Sequence, residues 1–429
     1  MKILKSTFLS KLVTTSFFIV ILGQLFFDAA SHYLNILHPS WFFWFVLYGV
    51  LIIRIIKSPS IRVHYLDMLF FLSVGYLILS FIFLGESNNV EFTVRLILVI
   101  IGPYLIGRMY GAHYSPLNFK ILYGIAVICI LIIGLEISFD PSLIMDTDRF
   151  VLYKLADEFG ARSGGSPTQF YIGYVFGATL LISGTSLIVA KKTNKLIWNG
   201  SKVWNMSVSI ISLFIIFFVG SRGALISALL TISIIFISLS RNLIVKIPIR
   251  LIIFIVFVVG VYVILPDDRK YWLNELLLLP DKFSQVDGCI TSGDSLLVRL
   301  TLLGEAWRLF VESPLLGIGA TNFGLSYCGE QHEFASPHSL IPQIIVEFGV
   351  IGVLVWFTMI LSMVYASFKK IKVGDIRHQT IAVGIFSIWI FIFMMAQYSN
   401  TMYYNYHFYI LTGLLVSMIN TPVKIDRRY

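Results

Sequence analysis

Residues 217–230 read FFVGSRGALISALL. An apolar run ends, four residues of the type Gly-Ser-Arg-Gly reverse the chain, and a second apolar run begins almost at once. Two such runs back to back make a hairpin of helices, and the pattern recurs from one end of the chain to the other. Apolar stretches of about 18 or more residues span a bilayer as helices, because lipid leaves the backbone no other partner than itself.

Composition agrees. The chain has 429 residues, of which 57% are hydrophobic and only 13% charged. A soluble domain is closer to one quarter charged, so the expected fold class is an all-α integral membrane protein. The runs place spans at roughly 8–27, 39–56, 66–84, 91–108, 119–138, 169–190, 203–220, 222–239, 248–265, 342–366, 379–398 and 403–420, about 12 transmembrane helices in a single polytopic domain, 1–429. The stretch MKILKSTFLSKLVTTSFFIVILGQLFF at 1–27 is basic, then apolar, with no small-residue cleavage site after it, and reads as the first span.

The net charge of +9 raises the thought of nucleic acid. Topology explains it better. Lys2, Lys5, Lys11, Arg54, Lys57, Arg62, Arg108, Lys120, Lys191, Lys192, Arg241, Lys246, Lys369, Lys370, Lys424, Arg427 and Arg428 all fall in loops on one side of the twelve-span reading. The positive-inside rule then puts both termini in the cytoplasm. The basic residues orient the chain in the bilayer and call for no polyanionic partner.

Two outer loops break the pattern of short turns. The first, 140–169, contains Arg149 and is rich in Gly, Ser and Asp. The second, 266–341, lies between spans 9 and 10 and is large enough to fold over the membrane face. Its segment 295–312 carries Leu296, Leu300, Leu303, Trp307 and Phe310 at helical spacing, with Pro314 after it, which predicts an amphipathic helix. One reading lays its apolar stripe on the membrane surface. Its polar face, with Arg299, Glu305 and Arg308, is free to roof a site. Cys289 and Cys328 both fall in this loop, where an oxidising compartment would let them pair.

Three places draw chemical interest. Arg222 stands at the outer end of two packed spans, where a guanidinium either snorkels to the interface or meets an anion. Ser221 and two glycines beside it let backbone approach closely, and the next helix begins there; helix N-termini and arginines both suit phosphate oxygens. Arg299 precedes ESPLLGIGATNFG, whose Pro-Leu-Leu-Gly-x-Gly turn reads as structural. Third, EFASPHSLIPQIIVEFG at 333–349 holds His338 between Pro337 and Pro342 at the mouth of span 10. Ser336 or Ser339 is the candidate cap of that helix. The positive helix terminus keeps a nearby imidazole neutral, able either to cap or to accept a proton. Glu347, further along the span, is placed to orient His338 or to pair with Arg222. Arg95 and Glu136 are intramembrane charges without an assigned role.

Read together, GSRGAL, the Arg299 segment with PLLGIG, and PHSLIPQIIVEFGVIG resemble the bacterial O-antigen ligase and O-antigen polymerase superfamily. The resemblance is strongest over 203–366. The family commonly has His-Asn where this chain has His338-Ser339. It implies a membrane glycosyltransferase of GT-C-like fold that takes a glycan from undecaprenyl diphosphate at the outer face of the bacterial inner membrane, with no cofactor and no metal. On matching positions, Arg222 and Arg299 would hold the diphosphate and His338 would activate the acceptor hydroxyl, with Ser221, Ser339, Glu347, Arg308 and Arg149 in support. Partners would be the lipid-linked glycan, an acceptor glycan or lipid A core, the bilayer and other polysaccharide assembly proteins.

A polymerase and a ligase share this donor chemistry. Arg-x10-Gly patterns described for polymerases occur at Arg149–Gly160 and Arg308–Gly319, and also at Arg162–Gly173, so they separate the two only slightly. The tail QYSNTMYYNYHFYILTGLL tips the reading toward polymerase. A transporter or flippase is the rival from another class. Inverted repeats and midplane charges mark that class, whereas the ionisable residues here gather at one face.

Overall fold

A computed structural model describes residues 16, 20, 40–57, 63–85, 89–111, 168–193, 202–218, 222–239, 284–286, 289–292, 296–328, 337, 339–373, 376–399, 402–403 and 405–420. The helices are α1 (Ser40–Lys57), α2 (Tyr65–Leu84), α3 (Asn89–Arg95), a π-helical turn (Leu96–Ile101), α4 (Gly102–Gly111), α5 (Thr168–Thr193), α6 (Lys202–Phe218) and α7 (Arg222–Leu239). After a short hairpin follow α8 (Leu296–Glu312), α9 (Asn322–Cys328), α10 (Leu340–Val373), α11 (Ile376–Ser399) and α12 (Tyr406–Asn420). Predicted spans 119–138 and 248–265 lie outside the described residues, as do all of span 8–27 except Ser16 and Val20 and nearly all of the 140–169 loop.

Among the described residues, Tyr65–Leu84, Val90–Tyr110 and Leu340–Ile371 are long and apolar enough to cross a membrane, and α1, α5, α6, α7, α11 and α12 contain shorter apolar helices. Exposed Phe71, Leu72, Leu79, Ile82 and Phe83 on α2 fit a lipid-facing side. This is an integral membrane protein. One element departs from the all-α expectation. Ser284–Val286 and Cys289–Ser292 pair as an antiparallel hairpin in the large loop. Asp287-Gly288 stands between them in the sequence, the residue pair that a two-residue hairpin turn favours.

Close approach of backbones binds the bundle. A side chain at Gly107 would strike the Ile410 carbonyl, and one at Gly413 would strike that of Tyr104, so α4 and α12 cross in contact. Around that crossing α5 packs on α6, α7 and α11, while α10 packs on α2, α8 and α11. Asp67 on α2 takes two bonds from Arg108 on α4, at 2.6 and 2.8 Å, and a third from the Tyr104 hydroxyl at 2.5 Å. A carboxylate buried among helices is tolerable when it is paired and bonded in this way. Arg95 finds a similar answer in Glu91, one turn back on α3; Glu136 lies outside the described residues. The π-helical turn has its own partner, because the Tyr48 hydroxyl donates to the Leu98 carbonyl at 2.8 Å.

Candidate functional site: a broken helix at one end of the bundle

The C-terminal ends of α2 and α11 meet the N-terminal ends of α10 and α12 at one end of the bundle. This is the alternation that the span reading requires, and that reading assigns this end to the outer face. The site is best built from α10, which the sequence reads as one apolar run. It is not one helix. Gly349 sits at φ 61°, ψ −164°, and breaks it into a short segment, Leu340–Phe348, and the long one beyond.

A break costs a helix two hydrogen bonds, those that Val350 and Ile351 would have made to the carbonyls of Val346 and Glu347. The Pro-Leu-Leu-Gly-x-Gly stretch restores all four groups. The Pro314 carbonyl accepts from Val350 N–H at 2.9 Å and the Leu315 carbonyl from Ile351 N–H at 3.3 Å. In return, Ile318 N–H donates to Val346 and Gly319 N–H to Glu347, both at 3.0 Å. Gly317 has φ 74°, and a side chain there would also stand 2.5 Å from Phe348 N. Gly319, at φ 101°, abuts the Leu84 carbonyl of α2. Irregular backbone at membrane depth survives only where protein satisfies it, and here one loop does so.

The short segment is held from every side. Gln397 of α11 lends its amide oxygen to Ile341 N–H at 3.0 Å, with the Ser339 hydroxyl 3.5 Å away. Ser339 is therefore the cap residue by position, since its carbonyl accepts the first helical bond from Gln343 N–H, but the free N–H of the first turn is capped by a neighbouring helix. Gln343 accepts from Met402 N–H at 3.0 Å and donates to Glu347 at 3.3 Å. The Tyr403 hydroxyl donates to Glu347 at 2.6 Å and accepts from Thr321 N–H at 3.0 Å. Thr321 is at φ 69°, an unusual left-handed position for a β-branched residue. Tyr76 of α2 completes the clamp, donating to the Phe348 carbonyl at 3.1 Å.

Of the residues predicted for the site, Arg222 begins α7 and Arg299 lies in the first turn of α8; their side chains lie outside the described residues. His338 lies there too, between described Pro337 and Ser339, as do Ser221 and Arg149 and the side chains of Cys289 and Cys328. Glu347 is fully buried, and its described partners are Tyr403, Gln343 and the backbone of Thr321. Arg308 is half exposed and bound within its own helix to Glu305 and Glu312. Leu300, Leu303 and Trp307 of the stripe read from sequence stay exposed, while a different side of α8, Leu302, Ala306 and Leu309, packs on Val346 and Phe323. Gln343, Gln397, Tyr403 and Gly349 were not singled out from sequence. The one available signal was a glutamine on each of α10 and α11 where an apolar residue would serve packing better.

Residues 207–357 match the family model described as O-antigen ligase. This match supports the O-antigen ligase/polymerase superfamily as the chain's family. No curated protein matches the chain. The O-antigen ligase match starts in α6, takes in Arg222, Arg299 and His338 in that order, and ends eight residues beyond the Gly349 break. The resemblance seen from the motifs is thus met over most of the 203–366 stretch that carried it.

Proposed function

We propose that the protein is a metal-independent membrane glycosyltransferase of GT-C-like fold with about 12 spans, set in the bacterial inner membrane with both termini cytoplasmic. It moves a glycan from undecaprenyl diphosphate to a sugar hydroxyl at the periplasmic face, and the reading favoured is a surface-polysaccharide polymerase. The observation that carries this is the O-antigen ligase match, which encloses both arginines and the histidine. Charge develops on the diphosphate as the glycosidic bond breaks, so Arg222 and Arg299 supply fixed positive charge there. Neutral His338 takes the proton of the attacking hydroxyl, in a direct displacement with inversion.

The description of the matched family favours a second reading, transfer of a finished glycan to lipid A core. The surface glycan of a deletion strain, resolved on a gel, separates them. A core bearing one repeat unit is the expected result. A bare core, with long lipid-linked chains accumulating, means ligase, and an unchanged profile refutes both.

A further inference from the structure

We propose that Gln343, Glu347 and Tyr403 are positioning residues, which set the place and direction of the short helix Leu340–Phe348 and so of His338 just before it. The inference rests on the functional reading above and adds to it the group that aims its base.

Three observations lead there. The Gly349 break uncouples the short helix from the span, so its axis is not dictated by the bilayer-crossing part of α10. A nine-residue helix has little stability of its own and takes its direction from what it touches. Leu340, Ile344, Val346 and Phe348 give it apolar contacts, and to these are added polar bonds from separate parts of the chain: Gln343 binds the backbone of Met402, Glu347 binds Tyr403, and Tyr403 binds the backbone of Thr321. Thr321 in turn belongs to the loop that closes the break, next to Asn322, whose amide donates to the carbonyls of Leu84 at 2.6 Å and Ile318 at 2.8 Å. The chain of bonds thus runs from α2 through the loop and Tyr403 to the carboxylate.

Stability alone gives a poor account of this arrangement. Taking a carboxylate into a fully buried site costs several kcal/mol before its bonds return any of it, and apolar residues of similar volume are often as stable or more so. Directional bonds do what apolar packing does not: they fix rotation and register of the short helix against its neighbours. A base must stand within hydrogen-bond reach of the acceptor hydroxyl, and a displacement of about 1 Å costs on the order of a hundredfold in rate.

The test uses membranes containing the full chain, a lipid-linked glycan donor and steady-state transfer rates for Tyr403→Phe, Glu347→Gln, Glu347→Leu and His338→Ala. Tyr403→Phe removes one hydroxyl that both donates to Glu347 and accepts from Thr321. Its kcat is expected to fall about tenfold or more, with KM for the donor unchanged. Glu347→Gln, which keeps an acceptor for Tyr403, should retain most of the rate that Glu347→Leu loses. Unchanged kcat in Tyr403→Phe and Glu347→Leu overturns the proposal, and so does a rate loss that only follows the amount of folded protein. Normal transfer by His338→Ala identifies a different failure, that of the functional reading itself.

Discussion

Gly349→Ala and Gly304→Ala are the same chemical change and should have opposite signs. At Gly349 the backbone lies at φ 61°, ψ −164°, a region open in practice to glycine alone, which costs another residue about 1–3 kcal/mol. The added Cβ would stand 2.5 Å from the Leu315 carbonyl and 2.6 Å from Gly317 N. These are backbone atoms, so the loop must retreat and give up some of its four bonds to α10. Losing two, at about 1 kcal/mol each, brings the total to roughly 3–5 kcal/mol. Gly304 is exposed on helix α8, with nothing within 4 Å of an added Cβ. Alanine there should stabilise by up to about 1 kcal/mol, by helix propensity. Thermal unfolding of the purified chain in detergent compares the two, and hydrogen exchange locates the damage. Gly349→Ala should speed exchange of the Ile318, Gly319, Val350 and Ile351 amides. Equal unfolding temperatures and equal exchange at those four amides would refute the reasoning, because the break would then not depend on the loop.

Asp67→Asn should destabilise by about 3–5 kcal/mol, since it strips the Arg108 guanidinium of a buried carboxylate; Arg108→Met added to it should recover part of the loss in the same unfolding assay. His64 caps α2 through Nδ1, which accepts from Leu66 N–H. Desolvation holds this imidazole below its ordinary value, aided by Arg108 and opposed by Asp67. The folded chain therefore favours neutral His64, and its contribution is present above about pH 6.5 and lost as pH falls. His64→Asn, which still caps, should flatten the fall in melting temperature between pH 7.5 and 5.5; an unaltered slope counts against the assignment. His338→Ala and Arg222→Ala should each abolish glycan transfer while the protein still inserts at wild-type levels, and normal transfer by either sinks the mechanism.

The helices were legible because lipid imposes a simple code. Any apolar run long enough to cross must be helical, so the spans read at 39–56, 66–84 and 222–239 meet helices Ser40–Lys57, Tyr65–Leu84 and Arg222–Leu239 almost residue for residue. The same code hid the break in α10. Leu340–Ile371 is apolar enough to read as one span, and one glycine in such a run carries no sign of whether it kinks the chain or lets helices approach. Asp287-Gly288 carries a local sign of its hairpin, the residue pair that a two-residue turn favours. The helix α8 was legible, but the side of it that meets protein was not the stripe read from sequence: Leu302 and Leu309 turn inward while Leu303 and Trp307 of that stripe remain exposed.

PLLGIG shows why part of the site was unreadable. Read alone it is a turn, with proline ending a helix and two glycines allowing positive φ. Its meaning depends on a second stretch about thirty residues later, because Pro314 and Leu315 offer carbonyls, and Ile318 and Gly319 offer N–H groups, to the four backbone atoms that Gly349 leaves open. Without the other, each piece would leave two carbonyls and two amides without these bonds, which lipid does not replace. The pairing explains why glycine is needed at three places, 317, 319 and 349, each against another backbone. It also ties the helix that follows His338 to the loop that follows Arg299. Any movement of one across the membrane face must carry the other with it.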